Sequence, residues 1–135
     1  MERNTIFLTL GILAAAALVG CGGEETASGH GPEKPSKPFD PMSLSLEDPK
    51  LIQGREVWML TCANCHATGL GEAPIIANKE AWSKRIAKGK ETLYDHAING
   101  FSGPLMLEMP PKGGYDHLSD EEVMRAVDFM VHASQ

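Results

Sequence analysis

The stretch Cys62-Ala63-Asn64-Cys65-His66 decides the fold. Its two cysteines are three positions apart, and a histidine follows the second one directly. This spacing is the signature of covalent c-type haem attachment. The two thiols add across two vinyl groups on one side of the porphyrin, and the adjacent imidazole is carried to one face of the ring, where it binds iron. The motif predicts one covalent haem c, attached through Cys62 and Cys65, with His66 as the proximal iron ligand.

Three other uses of a Cys-x-x-Cys pair remain open at this stage. A redox pair of the thioredoxin type needs a βαβ context, and the flanking sequence shows none. A zinc site needs four ligands, and the sequence has no second closely spaced Cys/His pair. A disulfide between Cys62 and Cys65 is geometrically tight and leaves His66 without a role.

Helical patterns lie on both sides of the motif. Asp48-Pro49 predicts a helix start, with an N-cap followed by proline at the first position. Residues at three- and four-residue spacing then form one face that ends at Cys62, and this face includes Gly54, where another backbone can approach closely.

Three further helices are predicted after the motif. Two short ones, at about 79–88 and 90–99, end at Gly89 and at Asn99-Gly100. The last begins at the capping box Ser119-Asp120-Glu121-Glu122. No segment alternates with the period of a strand, so we expect an all-α domain of about four helices around one covalent haem, with long loops at 67–78 and 101–118.

The amino-terminal region has the features of an export signal. Ile6 to Val19 form a 14-residue, mostly apolar run, which is shorter than the roughly 20 residues of a membrane span. Leu18-Val19-Gly20-Cys21 resembles the bacterial lipoprotein box, in which the thiol is acylated and the chain is cut before it. We therefore expect residues 1–20 to be a lipoprotein signal peptide and Cys21 to carry the lipid; an ordinary signal peptide with an incidental Cys21 is the alternative.

Composition divides the remainder of the chain. Residues 21–46 are rich in Gly, Pro, Ser and charged residues and poor in apolar ones, which predicts a disordered tether. Residues 47–135 form the predicted monohaem domain. The chain has 135 residues and a net charge of −6, which leaves room for one modest domain and does not suit a nucleic-acid binder.

Residues 50–131 resemble a short bacterial class I cytochrome c, of the subgroup called cytochrome c-five. The strings that carry the resemblance are Cys62 to His66, Gly71-Glu72-Ala73-Pro74, Trp82 to Gly89, Met109 to Gly114 and Leu118 to Val123. The resemblance implies that Met109 is the distal iron ligand. It also implies that Gly54 meets Phe129 on the last helix, and that the Pro74 carbonyl accepts a hydrogen bond from the proximal imidazole.

Met106 and the remaining histidines are the other candidates for the second iron ligand. Met106 lies in the same loop as Met109, but Pro110 and Pro111 stiffen the chain directly after Met109 and favour it as the ligand. The remaining histidines are His30, His96, His117 and His132, and each of them fits a surface or packing position better.

These features predict a single-electron carrier rather than an enzyme, because protein ligands on both faces of the haem leave no open iron site. We expect a monomer that is exported, held by its lipid to a membrane facing the periplasm, and that exchanges electrons with redox protein donors and acceptors. An open-coordination haem protein, either a peroxidase-like enzyme or a gas sensor, is the alternative, and a haem subunit of a larger oxidoreductase is another.

Overall fold

Four helical segments make up most of the domain in the computed structural model, which describes residues 37–103 and 107–135. Helix α1 (Pro49–Val57) continues through a π-helical turn (Trp58–Cys62) into α2 (Ala63–His66). Helices α3 (Lys79–Ile86), α4 (Lys90–Asn99) and α5 (Asp120–Ala133) follow. Short 3-10 turns occur at Pro41–Ser43, Leu70–Glu72 and Pro111–Gly114. The predicted all-α fold is confirmed.

Several predicted features lie outside the described residues. They are the signal peptide 1–20, Cys21, the tether as far as residue 36, His30 and Met106. Within the described part of the chain, no helix combines the length and the apolar content needed to cross a bilayer.

The predicted helix starts are made by the expected side chains. The Asp48 carboxylate accepts a hydrogen bond from the Lys50 amide at 2.8 Å, and Pro49 occupies the first turn. At the start of α5, Ser119 and Glu122 form the reciprocal capping box. These caps satisfy amides that the helices themselves leave unpaired, and they fix where each helix begins.

Helices α1 and α5 cross at Gly54. Gly54 is buried, and a Cβ at this position would collide with the backbone carbonyl of Arg125 on α5. The absent side chain therefore allows the two backbones to approach each other. Phe129 lies one turn further along α5 and packs against Trp58, with ring centroids 5.7 Å apart. The crossing predicted from Gly54 and Phe129 is present, although the atoms nearest to Gly54 belong to the α5 backbone.

The core has two parts, one on each side of the crossing. The first is built on the fully buried side chains Trp58, Ile76 and Phe129, together with Trp82. The second lies between α4 and α5 and contains Ala97, Leu118, Val123, Val127 and Val131. Leu118 and Val123 flank the capping box of α5, and both belong to this second cluster.

A short strand pair is the feature that the pattern did not predict. Phe101–Ser102 (β1) pairs antiparallel with Glu108–Met109 (β2), and Phe101 lies opposite Met109. Strands of two residues are too short to show a period-two pattern. The pair closes the base of the loop that follows α4, and it gives Met109 an extended backbone.

Residues 37–46, which we call the N-terminal strap, differ from the predicted tether. Phe39, Leu44 and Leu46 pack against the first core cluster. The Phe39 ring lies 6.0 Å from the Trp58 ring and 6.4 Å from that of Phe129. The folded part therefore begins about ten residues before the predicted boundary at 47.

The strap makes a measurable contribution to stability. Phe39→Ala removes an aromatic ring that contacts two buried rings, so we expect the free energy of unfolding to fall by about 1–3 kcal/mol. Met42→Ala is the matched control, because Met42 lies in the same strap and is 63% exposed. Denaturant unfolding measures both; equal stability of the Phe39 variant and the wild type would show that the strap belongs to the tether.

Candidate functional site

The Cys-x-x-Cys-His motif lies at the end of the first helical segment. Cys62 closes the π-helical turn, and Cys65 and His66 lie on the short helix α2. A π-helical turn takes more residues than an α-helical one, and such turns are frequent at functional sites. Cys62 and Cys65 are both half-buried free thiols, so the pair that the motif predicts for attachment is present side by side on one turn of helix.

His66 is held in one orientation by the loop that follows it. The side chain is 7% exposed, and its Nδ1 lies 2.9 Å from the Pro74 carbonyl oxygen. Because a carbonyl can only accept, Nδ1 carries the proton and donates it. The predicted partnership with Pro74 is confirmed. It leaves Nε2 as the nitrogen that can bind iron, and a backbone acceptor of this kind is the usual outer partner of a metal-bound imidazole.

The environment of His66 favours the neutral ring. Burial lowers the pKa of His66; the Pro74 hydrogen bond opposes that shift, and the positive charge of Arg85 adds to it. Only a neutral imidazole has a free nitrogen lone pair for a metal. The site therefore holds His66 in the protonation state that an iron ligand needs.

Hydrogen bonds fasten the loop from 67 to 78 to His66 at one point and to Trp82 on α3 at another. The Ile76 amide donates to the His66 carbonyl at 2.8 Å, and Trp82 Nε1 donates to the Ile75 carbonyl at 2.9 Å. The Trp82 ring lies 6.2 Å from the His66 ring. From the sequence, Trp82 was notable only as the first residue of the stretch Trp82 to Gly89 that carries the family resemblance. In the structure, its ring lies beside the imidazole and its indole bonds to the loop that holds the imidazole.

The structure weighs against the three other uses of the cysteine pair. Burial raises the pKa of Cys62 to about 11, so this thiol is not the reactive thiolate that a thioredoxin-type exchange needs. The two thiols are not joined in a disulfide. In residues 37–103 and 107–135, no three His, Cys, Asp or Glu side chains come together as a metal site, whereas a zinc site needs four ligands.

Met109 is connected to the haem motif by the loop that follows it. It is half-buried, lies in β2 and packs against the second core cluster. Four residues later, the Gly113 carbonyl accepts a hydrogen bond from the Thr61 hydroxyl at 3.0 Å. Thr61 directly precedes Cys62, so the loop that carries Met109 is bonded to the helix that carries the first thiol. No sequence signal identified this contact.

Three of the histidines that are alternative candidates for the second iron ligand belong to the described residues, and each has other surroundings. His96 is half-buried and stacks on the Phe101 ring, with centroids 4.2 Å apart. His117 and His132 are exposed, where an imidazole is free to meet solvent. Their positions agree with surface and packing roles.

A match to a family model identifies the family to which the chain belongs. The model of the family described as "Cytochrome C oxidase, cbb3-type, subunit III" matches residues 49–130. The chain belongs to the cytochrome c family. Members hold haem c through two thioethers, and the donor set here, two free thiols followed by a neutral imidazole with Nε2 available, fits that group.

The cytochrome is similar to several small relatives. It is 42% identical to cytochrome c-555 of Chlorobaculum tepidum over 82 residues, which is 61% of this chain and 75% of the relative. It is 35% identical to cytochrome c5 of Azotobacter vinelandii over 79 residues, covering 57% of this chain and 89% of the relative. Proteins with these names transfer electrons and are not enzymes.

The fold is also similar to that of a cytochrome c of known structure. The chain in "Crystal structure of electron transfer complex of nitrite reductase with cytochrome c" matches with a TM-score of 0.55 and 31% identity. The match covers 65% of this cytochrome and 98% of that chain. The small cytochrome c fold and its covalent haem c are thus supported by relatives in both sequence and structure.

Proposed function

We propose that this cytochrome is a single-electron carrier whose haem iron is bound by His66 on one face and Met109 on the other. The observation that carries the proposal is the hydrogen bond from Thr61 to Gly113, because it joins the Met109 loop to the helix of the haem motif. The small electron-transfer cytochromes among its relatives support the same function. Methionine and histidine together raise the potential above that of a bis-histidine haem.

The haem supplies the reversible one-electron change at iron. The chain's own residues orient the ligands and exclude water. Pro74 fixes the rotation of the His66 ring, and the buried Trp82 ring lies beside the imidazole. The β1–β2 pair and the two prolines that follow it hold the Met109 backbone extended. A site of this kind changes little in shape when an electron arrives or leaves, which favours rapid transfer.

A redox titration of the purified protein tests the carrier function. We expect one reversible one-electron transition followed through the haem absorption, with low-spin spectra in both oxidation states. Rapid turnover of peroxide, or a high-spin iron in either state, would contradict the proposal and favour the open-coordination alternative.

A second candidate follows from the family description, which is that of an oxidase subunit. In that case the chain is a haem-bearing subunit of a larger oxidoreductase and passes electrons within it. Purification of the native protein from its membrane in mild detergent separates the two. A carrier is recovered alone as a monomer, and a subunit is recovered with its complex.

The proposed location is the periplasmic face of a membrane, where an acyl group on Cys21 holds the exported chain. The support is the sequence around Cys21, which resembles the lipoprotein box, and the stretch rich in Gly, Pro and Ser that separates it from the strap. Such a composition is typical of a tether, and a tether of that length would keep the haem domain near the bilayer and leave it free to turn towards redox partners.

The anchor gives a testable result. Cys21→Ser removes the thiol that receives the acyl group, so we expect an unprocessed precursor or a protein without acyl chains, and loss of most of the protein from the membrane fraction. Ser28→Ala is the control, because it changes the same stretch without removing a thiol. Mass spectrometry of the wild-type amino-terminal peptide decides, and a soluble, unacylated wild-type chain would contradict the proposal.

A further inference from the structure

Thr61 makes a hydrogen bond that differs from those of Thr68, in the turn just after α2, and Thr92, on α4. In a helix, a threonine hydroxyl usually bonds to a carbonyl three or four residues earlier. Thr92 does so on α4, donating to the Lys88 carbonyl at 3.2 Å, and Thr68 donates to Asn64 at the same distance. Thr61, which is 4% exposed, donates across the fold to Gly113, 52 residues away.

Gly113 lies at the centre of a strained turn. Its φ is +63°, and that of the preceding Lys112 is +51°, a backbone region that a lysine adopts only at a cost in free energy. A Cβ at Gly113 would collide with the Thr61 hydroxyl. The turn therefore persists because its surroundings hold it, and the Thr61 hydrogen bond is one of those restraints.

A second restraint acts on the same turn from the other side. Lys112 Nζ donates to the Leu118 carbonyl at 2.8 Å and pairs with the Asp120 carboxylate at 2.8 Å. Asp120 begins α5, so the turn is fastened to both helices that cross at Gly54. Of the two restraints, Thr61 is the one adjacent to the haem motif.

The turn is coupled to Met109 by a short, stiff piece of chain. The Gly113 amide donates to the Pro110 carbonyl at 3.1 Å, which closes the turn from Pro110 to Gly113. Pro110 is extended, with φ −67° and ψ 150°, and proline fixes φ. Any shift of Gly113 is therefore passed to Met109 rather than absorbed between them.

We propose that Thr61 is a positioning residue for the distal ligand: its hydroxyl, by bonding to Gly113, holds the Met109 thioether in place against iron. This rests on the proposed function, in which Met109 is that ligand. Thr61 does not touch the iron and acts through the turn alone. Loss of its hydroxyl removes this hydrogen bond from the half-buried Gly113 carbonyl and makes it easier for the loop to move away.

Competition with an external ligand measures this role. Imidazole added to the oxidised protein displaces the thioether and removes the weak near-infrared sulfur-to-iron band. We expect Thr61→Val to raise the apparent affinity for imidazole about tenfold, the equivalent of one hydrogen bond in the free energy of loop opening. Thr61→Ser, which keeps the hydroxyl, is expected to stay within about twofold of the wild type.

Thr92→Val is the matched control, because it removes a half-buried helical hydroxyl whose acceptor, the Lys88 carbonyl, lies just before the same helix. A merely structural role for Thr61 lowers its denaturation midpoint as Thr92→Val does but leaves the imidazole affinity unchanged. Should the valine variant fail to fold, Thr61→Ala makes the same comparison with a smaller side chain.

The experiment distinguishes a failure of the positioning role of Thr61 from a failure of the proposed methionine ligation. A near-infrared band in the wild type with equal imidazole affinities for wild type and Thr61→Val would overturn the positioning role alone. Absence of that band in the oxidised wild type would overturn methionine ligation, and the positioning role with it.

Discussion

Met109→Ala is expected to abolish the near-infrared sulfur-to-iron band of the oxidised protein and to lower its reduction potential by on the order of 0.1–0.3 V. The physical reason is that the thioether stabilises reduced iron, and axial ligands set haem potentials over a range of about 0.8 V. With the thioether gone, the distal face is open, so small external ligands bind. Optical titration and voltammetry of the purified variant measure all three changes.

Met106→Ala is the control for this prediction. It removes a second thioether from the loop between α4 and α5, three positions from Met109, and we expect the near-infrared band to remain. Loss of the band in Met106→Ala, with retention in Met109→Ala, would reverse the assignment of the distal ligand.

The double variant Cys62→Ala, Cys65→Ala is expected to prevent both haem attachment and stable folding. The core of this small domain depends on few large side chains: among the described residues, the largest fully buried ones are Trp58, Ile76 and Phe129. A domain of about 90 residues buries a modest fraction of its surface and commonly needs a cofactor or another cross-link. Without the porphyrin, we expect an apoprotein with little cooperative unfolding in circular dichroism.

Cys21→Ala provides the comparison, since it also removes a thiol but leaves the haem motif intact. This variant is expected to keep covalent haem and the wild-type unfolding transition. A double variant of Cys62 and Cys65 that remains helical and melts cooperatively would show that the haem is not the centre of the core.

Local chemistry made much of the fold predictable. The caps at Asp48 and Ser119 depend on side chains within three residues of the amides that they satisfy, so the sequence pattern alone places the helix starts. Gly100, which has a positive φ, ends α4 for the same local reason, whereas Gly89 lies three residues beyond the end of α3 and directly before α4. The pairing of His66 with Pro74 was implied by the family resemblance, and it spans eight residues.

Contacts between distant segments were not predictable in this way. Phe39 lies among prolines, serines and charged residues, and this composition predicts a tether. Its packing on Trp58 and Phe129 depends on a surface that only the folded domain presents. Thr61 and Gly113 are 52 residues apart, and neither has a neighbouring pattern that identifies the other. The β1–β2 pair is set by the closure of its loop rather than by alternation.

In the proposed function, His66 and Met109 occupy both axial positions, so that the cytochrome carries electrons and offers no open iron site. Exposure of the reduced wild-type protein to carbon monoxide tests this most directly, because carbon monoxide binds ferrous haem only where an axial position is free or easily vacated. We expect the low-spin spectrum of the reduced protein to stay unchanged under carbon monoxide at neutral pH. Prompt formation of a carbon monoxide adduct by the native protein would contradict it.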